Sequence, residues 1–196
     1  MDAVNTQTLL VLAVVVILVL VALAVFLYQR KQSRQLEERF GSEYGRLVRE
    51  LGNRSKAEAE LKRRQQRVEG LRIVPLAPGE GARFSKAWNN LQADFVDNPQ
   101  GAVAQADELV RELMQKRGYP MGDFEHRAAD ISVDHPAVVS NYRAAQDIRA
   151  RNLRGEADTE ELRKALVHYR ALFDDLLEVR EVERERMPAR PVEVRS

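Results

Sequence analysis

The chain of 196 residues contains no cysteine, which excludes disulfides, thiolate metal centres and cysteine nucleophiles. Its 31 basic and 30 acidic residues nearly cancel, to a formal charge of +1, but the two signs are unevenly spread. Residues 30–70 carry twelve basic and seven acidic side chains, and residues 84–178 carry twelve basic and seventeen acidic, so the second region repels nucleic-acid phosphates.

Residues 1–8, MDAVNTQT, form a short polar segment ahead of an uncharged run of twenty residues, Leu9 to Tyr28. At ~1.5 Å per residue a helix of that length spans roughly 30 Å, the hydrocarbon thickness of a bilayer. A lone segment in lipid must satisfy its own backbone, so residues 9–28 are predicted to be a transmembrane helix. The run has no glycine and hence no GxxxG face for close pairing. Tyr28 sits where an aromatic ring prefers the headgroups, and Arg30, Lys31 and Arg34 follow at once. Basic residues on the C-terminal flank predict a single-pass membrane protein with the N-terminus outside and the C-terminal domain cytoplasmic. Each of those three cations gains up to ~1 kcal/mol against an anionic leaflet, which makes them the expected lipid contacts. The rival reading is a signal sequence cleaved near Ala24, after Ala22-Leu23-Ala24, and a secreted domain. The leading residues lack Lys and Arg and the apolar run continues past that site, which favours the retained anchor.

Residues 29–70 read as one charged helical stalk. Leu36, Phe40, Tyr44, Leu47, Leu51, Leu61 and Val68 recur at spacings of three, four and seven, a heptad seam interrupted by Glu37, Arg54, Glu58 and Gln65. A second copy closing that seam makes a homo-oligomer, a coiled coil through the stalk. Gly41 and Gly45 read as a flexible joint. Residues 71–82, LRIVPLAPGEGA, have two prolines, two glycines and no period, which predicts a linker.

Residues 83–180 are predicted to be a small four- to five-helix bundle, so the fold class is all-α. The first helix presents Phe84, Trp88, Leu91 and Phe95 on one face. Asn98-Pro99 caps and starts the second, whose stripe is Ala102, Val103, Ala106, Leu109, Val110, Leu113 and Met114, and Gly118-Tyr119-Pro120 stops it. A short third helix covers about Met121 to Ile131. Asp134 is expected as the N-cap of the fourth, with Val138, Val139, Tyr142 and Ala145 facing inward. Asp158 and Glu161 make a capping box for the fifth, with Leu162, Ala165, Leu166, Tyr169, Phe173, Leu176 and Leu177 as its stripe. Residues 181–196 are charged and proline-bearing with little to bury, which predicts a disordered tail.

The strings WNNLQADFVDNPQGAVAQADELV (Trp88 to Val110), RGYPMGDFEHRAADISVDHPAVVSNYRAA (Arg117 to Ala145) and LRKALVHYRALFDDLLE (Leu162 to Glu178) resemble a family of small single-pass membrane proteins, or secreted proteins, from actinobacteria. No activity is established for that family. The resemblance implies an anchor with a helical domain and brings no catalytic residues with it.

His126, Asp130, Asp134 and His135 are the densest set of metal-ligating residue types, and two imidazoles with two carboxylates suit Zn²⁺ or non-haem iron. The bland reading is an N-cap, a solvated helix-end acid and ordinary surface histidines. His168 beside Tyr169 offers an acid–base pair of the sort any charged helical domain contains. There is no GxSxG, P-loop, GxGxxG or HExxH, so neither an enzyme nor a cofactor is predicted. In the RGYP loop, Arg117 and Tyr119 exposed on a rigid turn suit recognition of a partner protein, while the alternative folds Tyr119 onto the bundle. The expected function is a membrane-anchored protein-interaction module, adaptor or scaffold, with the bilayer and a protein as partners. The alternative is a membrane-bound or exported enzyme or metal-binding domain centred on His126, Asp130, Asp134 and His135.

Overall fold

The computed structural model describes residues 3–186, with side chains placed from 10 to 177. Among the described residues there are eight α-helices and no strand, in agreement with the all-α expectation. The chain divides into two units, one up to Glu58 and one from Ala59 onward.

In the first unit α1 (Ala3–Phe40) carries the apolar run unbroken into the first charged turns. Its residues from Leu10 to Tyr28 are exposed on every side, and none of the described residues covers them. It is the one described helix long and apolar enough to cross a membrane. The stalk expected over 29–70, with a joint at Gly41 and Gly45, forms as three helices. Gly41 (φ 48°) breaks the chain between α1 and α2 (Ser42–Leu51), and Gly52 (φ 61°) breaks it again before α3 (Arg54–Glu69). Both glycines hold a positive φ that side chains disfavour, so the breaks are written into the backbone. Asn53 then caps α3, its Oδ1 accepting the Lys56 N–H at 3.0 Å. Gly45, by contrast, lies inside α2.

The turn folds polar groups against one another. Arg54 Nε donates to Tyr44 Oη at 2.6 Å, and Tyr44 donates to Glu58 Oε1 at 3.0 Å. Glu43 is buried and held by a two-pronged bond from Arg46, at 2.9 and 2.7 Å. The heptad residues Leu36, Phe40, Tyr44, Leu47, Leu61 and Val68 are all buried within the single chain. Leu51, the seventh residue of that seam, is 40% exposed.

The second unit begins inside α3, so the last turns of the stalk are no separate body, and α3 ends at Glu69, where the linker is expected to start. Arg67 of α3 pairs with the buried Asp130 at 2.7 Å. The segment 71–82 is no free spacer either. Leu76 joins the hydrophobic core, Ile73 packs against it, and the Val74 N–H donates to the Arg117 carbonyl at 2.9 Å. Two apolar side chains suffice to draw a proline-rich strip onto the core.

Five further helices share that core: α4 (Glu80–Asp94), α5 (Pro99–Lys116), α6 (Phe124–Asp134), α7 (Val139–Leu153) and α8 (Thr159–Arg186). The last, α8, lies against both α7 and α5, while α4 packs on α5 and α6 on α7. Trp88 of α4 meets Phe173 of α8 with ring centroids 4.7 Å apart. Phe84, Leu113, Ile131, Tyr142 and Leu172 are fully buried around them, each such side chain contributing about 1.5–3 kcal/mol. The caps of α5 and α8 form as their sequences predict. Asn98 Oδ1 accepts the Gly101 N–H at 2.9 Å, and Asp158 and Glu161 exchange reciprocal bonds at 3.1 and 2.8 Å.

The third and fourth helices differ from expectation. The third helix, α6, starts at Phe124 rather than about Met121, capped by Asp123, which accepts the His126 N–H at 2.9 Å. Asp134 is the last residue of α6 and caps nothing. Pro136 forces the preceding His135 out of the helical region (φ −126°, ψ 53°), and α7 starts only at Val139, after that turn. At the C-terminus α8 continues to Arg186, so residues 181–186 of the expected disordered tail are helical, consistent with the good helix propensity of Glu and Arg. Residues 187–196 lie outside the described residues.

Candidate functional site

The four metal-ligand candidates are held apart by separate partners. His126 is 69% exposed, and its Nδ1 lies 2.9 Å from Asp123 Oδ2. Asp130, far from being a solvated helix end, is 3% exposed and accepts from Arg67 Nε at 2.8 Å. Asp134 Oδ2 accepts the Tyr119 hydroxyl at 2.9 Å. His135, expected at the surface, is 5% exposed, with its Nδ1 hydrogen-bonded to Asp175 Oδ2 of α8. Among the described residues no three His, Cys, Asp or Glu side chains gather as a metal site. His168 Nδ1 faces Asn141 Oδ1 at 2.9 Å rather than a carboxylate.

Arg117 and Tyr119 do not form the exposed recognition pair. Their side chains are folded inward, at 2% and 3% exposure. Gly118 takes φ 92° at the end of α5, and the chain reverses so that the residues on either side of it point into the core. Arg117 Nε donates to the Val74 carbonyl at 3.0 Å and Nη1 to the Leu176 carbonyl of α8 at 2.6 Å, which ties the end of α5 to the 71–82 segment and to α8. For Tyr119, burial first and the Asp134 charge second push the phenol well above its ordinary range, so it stays a neutral donor.

A polar centre that no motif announces lies between α5, α7 and α8. Asp107 is buried, and its Oδ1 accepts the Tyr169 hydroxyl at 3.1 Å and the Gln146 amide. Arg149 and Arg111 approach its other oxygen at 3.5 and 3.6 Å. Burial, then the charge of Asp107 and the bond to it, raise the Tyr169 phenol strongly. Tyr142 beside it is raised by burial, against a hydrogen bond from Arg127 Nε at 3.2 Å. One signal for this centre was in the sequence: Asp107 sits four residues after Val103 and three before Val110, on the apolar stripe itself. An acid there needs a partner of its own.

The remaining candidates are Arg30, Lys31 and Arg34, which follow the apolar run on α1 as exposed side chains. They line two hollows on the helix surface, and Arg54 of α3 joins one of them. The chemistry of the head is thus turned inward, to hold helices together. No protein family, curated protein or solved structure matches the chain.

Proposed function

We propose that the chain is a single-pass protein of a bacterial cell membrane, with a charged stalk and a helical bundle that bind another protein at the cytoplasmic face. The observation that carries the reading is the apolar length of α1. From Leu10 to Tyr28 every residue is exposed, a surface that water does not tolerate and a bilayer satisfies. Arg30, Lys31 and Arg34 on the C-terminal flank favour the cytoplasmic side for the rest of the chain. In the head, Asp107, Asp130, His135, Tyr119 and Tyr169 are committed to internal bonds, which leaves its acidic surface as the means of contact. The likeness to actinobacterial membrane proteins in residues 88–178 fits the same reading.

Topology is tested with single cysteines at Asn5 and Ser196, because the native chain has none. An impermeant thiol reagent added to intact cells should label Asn5→Cys and spare Ser196→Cys. The reverse pattern, or a mature chain that begins near Val25, refutes the orientation or the anchor. Cross-linking in cells followed by mass spectrometry should recover one reproducible protein partner with the head. Recovery of lipid alone counts against the interaction role.

A further inference from the structure

Arg30, Ser33, Arg34 and Glu37 follow one another at helical spacing on α1, directly beyond the apolar run. The breaks at Gly41 and Gly52 return the chain so that the start of α3 lies over this face. Ser33 hydrogen-bonds the Glu58 carboxylate, and Arg54 Nη2 stands 3.8 Å from Glu37 Oε2. Between them is a groove of about 420 Å³, lined by Phe26, Arg30, Ser33, Arg34, Glu37 and Arg54 among others. Three guanidinium groups stand against two carboxylates, Glu37 on the groove wall and Glu58 paired with Arg54, which leaves the groove net positive. Arg54 is held in place because its Nε bonds both Tyr44 Oη and Glu58 Oε1, at 2.6 and 3.2 Å. A guanidinium fixed in advance loses less freedom when it meets an anion.

We infer that this groove holds the phosphate of an anionic membrane lipid, with Arg30, Arg34 and Arg54 as its ligands. The inference rests on the membrane reading above and adds to it a ligand and a specific residue, Arg54, that lies 26 residues past Tyr28. Depth supports a lipid rather than free phosphate. Ser33 is five residues beyond Tyr28, roughly 7 Å along the helix axis, which is the depth of the headgroup layer. The groove also ends on Phe26, inside the apolar run, where an acyl chain continues along exposed side chains.

The test uses the full chain in neutral detergent, with native mass spectrometry to count retained phosphatidylglycerol or phosphatidylcholine. The wild-type chain should keep one phosphatidylglycerol in preference to phosphatidylcholine. Arg54→Gln and Arg34→Gln should each weaken that retention roughly fivefold, the worth of one cation near an anionic surface. Lys56→Gln removes the same charge from the exposed face of α3 outside the groove and should leave retention unchanged. Arg34 makes no bond to α2 or α3 that its loss would break, so its variant separates lipid binding from any unfolding caused by Arg54→Gln. Equal losses in Lys56→Gln and Arg34→Gln, or equal retention of the two lipids, overturn the site. Displacement of the lipid by millimolar inorganic phosphate overturns the lipid as its source. If the chain fractionates from cells as a water-soluble protein, the membrane reading falls too, whereas the other outcomes remove this site alone.

Discussion

Asp107 shows how one side chain can set the cost of disturbing a helical core. Its carboxylate receives Tyr169, Gln146, Arg149 and Arg111 from three helices. Asp107→Ala leaves the buried Tyr169 hydroxyl without its acceptor and takes the partner from the partly exposed Gln146, Arg149 and Arg111, and should lower stability by about 2–3 kcal/mol. Tyr169→Phe removes a single bond and should cost about 1 kcal/mol. Urea unfolding of the full chain in detergent measures both, and equal losses would mean that Asp107 contributes no more than its bond to Tyr169. Tyr119 and Arg117 follow the same logic: residue types common at recognition surfaces are used here to satisfy Asp134, Val74 and Leu176.

Between elements the turn glycines matter more than the helix propensities. Gly118 (φ 92°) reverses the chain after α5, and a Cβ there would sit 2.3 Å from the Arg72 carbonyl oxygen. Gly79 (φ 88°), before α4, has open space around it. Gly79→Ala should therefore show the dihedral penalty alone, about 1–2 kcal/mol. Gly118→Ala adds a backbone clash and should lose about 2–4 kcal/mol. Thermal melting of the two variants side by side reads the difference, and matching midpoints would show that the Arg72 segment yields without cost. The same physics made three helices of the expected single stalk, since Gly41 and Gly52 both adopt positive φ. At the other boundary, Pro136 moved the start of α7 and left Asp134 to pair with Tyr119.

Over the whole molecule, buried phenols tie stability to alkaline pH. Tyr119, Tyr142 and Tyr169 are all raised above the ordinary tyrosine value of about 10, chiefly by burial. A group whose pKa is raised on folding stabilises the fold fully below its unfolded value, and that contribution is lost as pH rises above it. Stability should hold up to about pH 10 and then fall, because the unfolded chain ionises its phenols while the folded one resists. In an absorbance titration these three of the five tyrosines should ionise only together with loss of helical circular dichroism. Phenolate signal from all five before any loss of helix would contradict the buried assignment.

Residue order by itself determined the features that depend on near neighbours. These are the apolar run of α1, the cap at Asn98, the capping box at Asp158 and the stripes of α5 and α8, since helix period and caps are read within a few positions. The sequence also marked Asp107 as an acid on an apolar face, without saying what answers it. Tertiary structure alone decided the rest: that Asp107 meets Tyr169 across 62 positions, that Arg117 reaches Leu176, that Leu76 leaves its linker for the core, and that Arg54 returns to the face of Arg30 and Arg34. Each depends on where a turn sends the chain. A polar side chain of one type can face solvent or a buried partner, and only the packing of distant segments determines which.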